Sequence, residues 1–221
     1  MNAAIPVLTI DGPSGSGKGT VSRAVARHLG WHFLDSGAIY RSLAIAVLRS
    51  GISLDDVDGI VALARRMNLE FTAGDPPNVL LEGDDISSGI GTETCGNTAS
   101  RIAAYGPVRQ ALLDKQREFR QPPGLVADGR DMGTVVFKDA PYKVFLTASA
   151  EVRALRRHKQ LMEKGIDVNL DSLTREIEER DRRDRERAEA PLVMAEGAAS
   201  IDSSELEIRE VIDRVLRVVG R

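Results

Sequence analysis

Apolar positions along this 221-residue chain gather into five short runs, separated by longer stretches of helical period. The runs are 5–10, His32-Phe33-Leu34, Leu125-Val126-Ala127, Tyr142–Thr147 and Ala199-Ser200-Ile201. They have the length of buried strands, and the helical patterns between most of them predict a parallel sheet covered on both faces. Val21, Ala24, Val25 and Leu29 fit one apolar helical face after the first run. Ile208, Val211, Ile212, Val215 and Val219 predict a closing helix. Two stretches break the alternation. Asn68–Thr72, the turn Gly74-Asp75-Pro76-Pro77, Asn78–Glu82 and Asp85–Ser87 predict a small antiparallel meander inserted over 68–95. From Glu151 to Pro191 charge dominates; Ser149 caps and Gly165 ends its first helix, and the basic helical pair there predicts a lid.

The strongest chemical signal lies between the first strand and the first helix, in Gly12-Pro13-Ser14-Gly15-Ser16-Gly17-Lys18-Gly19-Thr20. Glycines at 12, 15 and 17 let the backbone curl so that several N–H groups point inward at phosphate oxygens. The helix N-terminus adds partial positive charge at the same place, and Lys18 reaches the β- and γ-phosphates. Gly19 stands where Ser or Thr usually follows the lysine, and Thr20 comes one residue late. Direct metal ligation by that hydroxyl is therefore left open. The strand, loop and helix together predict a nucleoside triphosphate site.

Composition narrows the partners. With 42% hydrophobic and 29% charged residues the chain reads as an ordinary globular protein, long enough for one large domain or a core with inserted lobes. A net charge of −3 gives no global pull toward nucleic acid or an anionic membrane, so any anion site must be local. Aromatic residues at 4% argue against stacking platforms for single strands. Cys95 is the single cysteine, which excludes an intrachain disulfide and a cysteine-based metal site. No signal peptide or membrane span is expected, and the cytoplasm is the expected location.

Three further segments carry candidate chemistry. Asp35-Ser36-Gly37-Ala38-Ile39-Tyr40-Arg41 follows the second strand, at the sheet edge where open α/β folds bind ligands. Arg41 suits a phosphate and Ser36 a neutral contact, while Asp35 or Ser36 also serves as a helix cap. Asp128, Arg130 and Asp131 end the third strand, where burying charge is costly unless it is paired or liganded. Asp128 organises magnesium waters, orients Lys18 or ties down its own turn. From Arg175 to Glu189 nearly every residue is charged, as in a solvated helix laced by i,i+4 pairs. Within it Arg180, Asp184 and Arg187 fall at i, i+4 and i+7, one face that could hold a sugar diol and a phosphate.

The chain resembles the bacterial cytidylate kinases of the nucleoside monophosphate kinase family. The resemblance rests on Ile10–Thr20, Leu34–Arg41, Ala127–Phe137 and Glu179–Ala188, in that order and almost end to end. The delayed Thr20 is the form this family uses. The resemblance implies a P-loop NTPase-type α/β fold: a parallel five-stranded sheet flanked by helices, with an inserted monophosphate-binding lobe and a lid. Its core would be 1–35, 122–150 and 190–221, its lobe 36–121 with the insert at 68–95, and its lid 151–189. It implies ATP-dependent phosphorylation of CMP and dCMP, with Mg2+ carried on the ATP phosphates and no metal ligands from the chain itself. ATP would meet residues 12–20 together with Arg153, Arg156 and Arg157. Ser36, Arg41, Arg130 and Arg187 would hold the acceptor phosphate, Arg180 and Asp184 the ribose, and Ser100, Arg109 and Asp131 the base. Lys18, Arg41, Arg130 and Arg187 would be the catalytic charges. Ser100 and Arg109 otherwise read as a helix cap and a surface arginine. A monomer acting on small nucleotides, without nucleic acid or membrane, is expected. A kinase for UMP or a non-nucleotide metabolite is the nearest rival; a nucleotide-dependent switch is the rival from another class.

Overall fold

The computed structural model describes residues 5–72, 74, 77–163 and 165–220. Strand β1 (Val7–Asp11) is buried along its whole length and forms the centre of a five-stranded parallel sheet. Its neighbours are β6 (Leu125–Gly129) and β7 (Tyr142–Thr147), paired in register Val7↔Leu125 and Leu8↔Tyr142. β2 (His32–Asp35) and β8 (Ala199–Asp202) close the two edges, in the order β2-β6-β1-β7-β8. All five runs expected from the sequence are strands here. A strand buried on both faces must be continuously apolar, and that is why these runs were legible. Helices α1 (Lys18–Leu29) and α8 (Ile208–Val219) place Val21, Val25, Val211 and Val215 in one cluster with Leu8, Ile10, Val126, Val144 and Leu146. The expected apolar faces therefore cover the sheet, although Ile208 stays exposed.

Two helices follow β7. α6 (Ala150–Glu163) begins where Ser149 Oγ accepts from Val152 N at 3.3 Å, and Gly165 at φ +74 closes the turn behind it. α7 (Leu170–Glu186) starts at Asn169, whose side chain accepts from Ser172 N, and packs back along α6. Both fall in the same compact unit as the sheet, which comprises the residues up to Leu34 and from Phe119 onward.

The second compact unit runs from Asp35 to Glu118. It holds α2 (Ser36–Ser50), α3 (Val57–Arg66), α4 (Glu93–Ile102) and α5 (Gly106–Arg117), with α2 packed on α4 and α3 on α5. Asp35, Asp56 and Thr92 cap the first three through side-chain oxygens. The meander is present as β3 (Leu69–Phe71), β4 (Val79–Leu81) and β5 (Asp84–Asp85), antiparallel with Leu69↔Leu81 and Leu81↔Asp84. Glu82 and Gly83, at φ +52 and +86, make the two-residue turn between β4 and β5. The sheet ends at Asp85, and the chain to Cys95 passes through a short 3-10 turn into α4. Of the turn expected at 74–77, Asp75 and Pro76 lie outside the described residues.

Candidate functional site

β1 hands the chain to the glycine loop at Gly12. This residue has φ +153, and a Cβ on it would collide with the Leu146 carbonyl oxygen of β7. Only glycine lets the loop leave the strand that close to its neighbour. Gly17 is the N-cap of α1, no side chain caps that helix, and no acid occupies its first turn. An uncapped N-terminus inside a curled loop is suited to an anion. Lys18 is buried, with Nζ donating to Pro13 O at 2.7 Å, and Ser16 Oγ donates to the same carbonyl at 3.1 Å. Thr20 is exposed.

The loop is also held from outside. Arg153 Nη1 donates to Ser14 O at 3.0 Å, and Ser203 Oγ lies 3.2 Å from Ser16 O. Arg156 grips Ser203 in turn, with Nη1 to Oγ at 3.1 Å and Nη2 to O at 2.6 Å. Arg153 is itself pinned: Nε donates to Ala148 O at 2.9 Å, and its terminal nitrogens meet Asp181 at 3.1 and 2.5 Å. The two side chains of that pair are only 3% and 5% exposed, so its partners hold the guanidinium in one place. Arg157 is half-buried on the same helix.

A second charged group gathers after β6. Asp128 is buried, and a Cβ at Gly19 would lie 3.4 Å from its Oδ2, which sets this carboxylate beside the phosphate loop. Arg130 Nε donates to Asp184 Oδ2 at 3.0 Å, an ion pair whose side chains are 19% and 6% exposed. Burial pushes the Asp184 carboxyl upward, but the guanidinium groups of Arg130, Arg180 and Arg187 outweigh it and hold it below the usual range. Burial likewise works against the Arg130 charge, and the carboxylates of Asp184, Asp128 and Asp181 together outweigh it. The expected face of Arg180, Asp184 and Arg187 is thus one electrostatic group. Its helical basis needs correction, because α7 stops at Glu186 and Arg187 is its extended C-cap, at φ −61 and ψ 138. Two backbone events end the helix there: Leu192 N donates to Asp184 O at 2.7 Å, and Ala190 turns at φ +50. Arg187 Nε donates to Ala190 O at 2.7 Å. Asp131 is buried at the head of the single π-turn Met132–Val136.

The smaller unit holds the remaining candidates. Asp35 caps α2 by accepting from Ala38 N at 2.9 Å. Ser36 Oγ is buried and donates to Gln116 Oε1 at 2.6 Å. Arg41 Nη1 donates to the carbonyls of Ile90 and Thr92, and Cys95 Sγ donates to Arg41 O at 3.3 Å. Arg109 stacks its guanidinium over the Tyr40 ring, 5.6 Å from the centroid, and Nη1 donates to Ala103 O at 3.2 Å. Ser100 is buried in α4, and among the described residues its hydroxyl meets no hydrogen-bond partner. The hydroxyls of Thr9, Ser22 and Thr134 are in the same condition.

Sequence reasoning missed Asp11, Asp181, Ser203, Gln116 and Tyr40. Asp11 lies within the segment Ile10–Thr20 with no role of its own there, and Asp181 is one of fifteen mostly charged positions. Their partners are 28 to 187 residues away in the chain, so no local pattern announced them.

The cytidylate kinase family model matches residues 8–221. The chain is 65% identical to the cytidylate kinase of Methylococcus capsulatus over 99% of both chains. It is 58% identical to that of Edwardsiella ictaluri over 98% of this chain and 96% of the other. A solved structure of an uncharacterized protein from Eubacterium ventriosum aligns over 98% of this chain and 99% of that one, with TM-score 0.50 and 11% identity, a likeness of fold alone. A parallel sheet, a glycine loop under an uncapped helix and a match over nearly the whole length lead to one conclusion: the chain belongs to the cytidylate kinase family, with a P-loop kinase fold.

Proposed function

We propose that this protein transfers the γ-phosphoryl group of ATP to CMP or dCMP, forming ADP and CDP or dCDP. The observation that carries the reading is the family match from residue 8 to 221, joined to a glycine loop whose helix N-terminus no side chain caps. The loop Gly12, Pro13, Ser14, Gly15, Ser16, Gly17, Lys18, Gly19 and Thr20 takes the ATP phosphates, and Lys18 neutralises charge on the migrating group. In the same unit Arg130 and Arg187 place the acceptor phosphate, Arg180 and Asp184 meet the ribose, and Asp131 accepts from the cytosine amine. In the smaller unit we assign Ser36 and Arg41 to the acceptor phosphate, and Ser100 and Arg109 to the base. The acceptor oxygen is ionised near neutral pH, so positioning and charge are what the side chains supply, and a general base is not needed.

Arg156 and Arg157 remain assigned to the donor side. We read Arg153, with its donors engaged by Ala148, Ser14 and Asp181, as acting on ATP through the shape of the loop. Among the described residues no three His, Cys, Asp or Glu side chains form a metal-binding group. A cation carried in on phosphate oxygens fits such a site, with Asp128 beside Gly19 placed to order its waters. Bound there, Mg2+ would supply positive charge that neutralises the ATP phosphates. No helix among the described residues is long and apolar enough to cross a membrane.

Measuring ADP formation across a panel of nucleoside monophosphates tests the proposal. CMP and dCMP should react at least about tenfold faster than AMP or GMP. Equal rates across the panel, or none with CMP, would refute it.

A further inference from the structure

Asp11 is the last residue of β1 and directly precedes the phosphate loop, yet its side chain bonds the loop after β6. Its carboxylate is buried, only 3% exposed, and accepts two backbone hydrogen bonds from the loop after β6. Met132 N donates to Oδ1 and Gly133 N to Oδ2, both at 2.8 Å. These two N–H groups open the π-turn Met132–Val136 and have no acceptor within so short a turn. The turn lies tightly on β1. A Cβ at Gly133 would approach Thr9 Oγ1 to 2.8 Å, and one at Gly129 would strike the Met132 side chain. Arg130 and Asp131 are suspended between these fixed points, immediately before the two amides that Asp11 grips.

We infer that Asp11 is a positioning residue for the acceptor nucleotide: by fixing the amides of Met132 and Gly133 it sets where Arg130 and Asp131 meet CMP. The inference rests on the proposed assignment of Arg130 and Asp131 to the acceptor. Chemistry explains why a carboxylate stands there. Two diverging N–H donors need two acceptor oxygens, which Asp offers and Asn does not, since the Asn amide would turn an N–H toward one of them. The charges that face Asp11 are Asp131, from the loop it holds, and Lys18, from α1. Burial pushes its carboxyl up to about 6; the two amides oppose that rise, Asp131 adds to it and Lys18 opposes it.

The same strand therefore serves both substrates. Its terminal backbone opens the ATP loop at Gly12, and its terminal side chain braces the CMP loop.

Asp11→Asn in the full chain separates this role from a merely structural one, with KM for CMP and for ATP measured independently. Losing one of two charge-assisted bonds should raise KM for CMP on the order of tenfold and KM for ATP by less than about twofold. The preference for CMP over UMP should also narrow. Two KM values that rise together, or a lowered melting temperature with both unchanged, would overturn the inference. If the variant does not fold, the wild-type protein still gives an answer through NMR. The amide proton shifts of Met132 and Gly133 should move together as Asp11 ionises near pH 6, and unmoved amides overturn the contact. That readout needs no turnover, so a wild-type enzyme inactive on CMP would refute the proposed function without touching the Asp11 contact.

Discussion

Replacing Asp184 with Asn removes one negative charge from a group of three arginines. The carboxylate is 6% exposed and bonded to Arg130 at 3.0 Å, with Arg180 and Arg187 close enough to lower its pKa. Deleting one partner of a buried pair costs about 3–5 kcal/mol, because the charge left behind is uncompensated. Asn keeps an oxygen that still accepts from Arg130 Nε, and Arg130 is 19% exposed, so a cost below that range, about 2–3 kcal/mol, applies. For a chain of this length that is a fall in melting temperature of roughly 4–12 °C. The pH dependence follows from the depressed carboxyl. Its stabilisation is fully present above the unfolded value, near 3.8, and is lost as pH falls through the lower folded value. The gap between wild type and variant should therefore stay constant from about pH 5 to about pH 8 and close below about pH 4. Thermal melts followed by circular dichroism at several pH values measure it directly. Coincident melting curves at neutral pH would refute the reasoning, and leave Arg130 without the anchor described here. In the same variant kcat/KM should fall more for CMP than for dCMP, which has one hydroxyl fewer to lose.

Other substitutions probe the remaining parts. Lys18→Ala should lower kcat by on the order of 10²-fold or more while the melting temperature without nucleotide hardly moves, checked by steady-state assay and a melt. Asp131→Asn should reduce CMP activity while UMP activity holds or rises, a switch worth about 5- to 150-fold; an unchanged CMP-to-UMP ratio would remove Asp131 from base reading. Asp181→Asn should raise KM for ATP several-fold and leave KM for CMP nearly unchanged, because it loosens Arg153 from Ser14 O. If Arg153 instead binds ATP once released, affinity for ATP in that variant will increase.

What the sequence disclosed and what it hid divide along a physical line. The strands at 7–11 and 142–147 were readable because burial forces a local run of apolar residues. The glycine loop was readable because a backbone that must turn at positive φ requires glycine at fixed offsets, as at Gly12, Gly15 and Gly17. Asp184 among its arginines was visible through helical spacing, yet the same spacing carried the helix too far, past the Leu192 contact that ends it before Arg187. Side-chain bonds such as Asp11 to Met132, or Ser203 beside Ser16, join residues 121 and 187 positions apart. Nothing in the neighbours of either residue encodes those partners; the folding of the sheet creates them.

The bonds from Arg153 and Arg156 to the phosphate loop and to Ser203 give the α6–α7 hairpin a root and a free end. Asp181, near the end of α7, is tied to the same root, so both helices of the hairpin are pinned at one end. From Arg153 to Glu163 the helix extends about 15 Å. A tilt of about 20° about the pinned end would carry Glu163 roughly 5 Å, whereas Arg157, one turn from the root, would move only about 2 Å. A hairpin held in this way would act as a lever whose fulcrum is part of the glycine loop. Arginines near the fulcrum would keep their aim while the tip moved, and a swing of the tip would pull on the Ser14 carbonyl of the glycine loop.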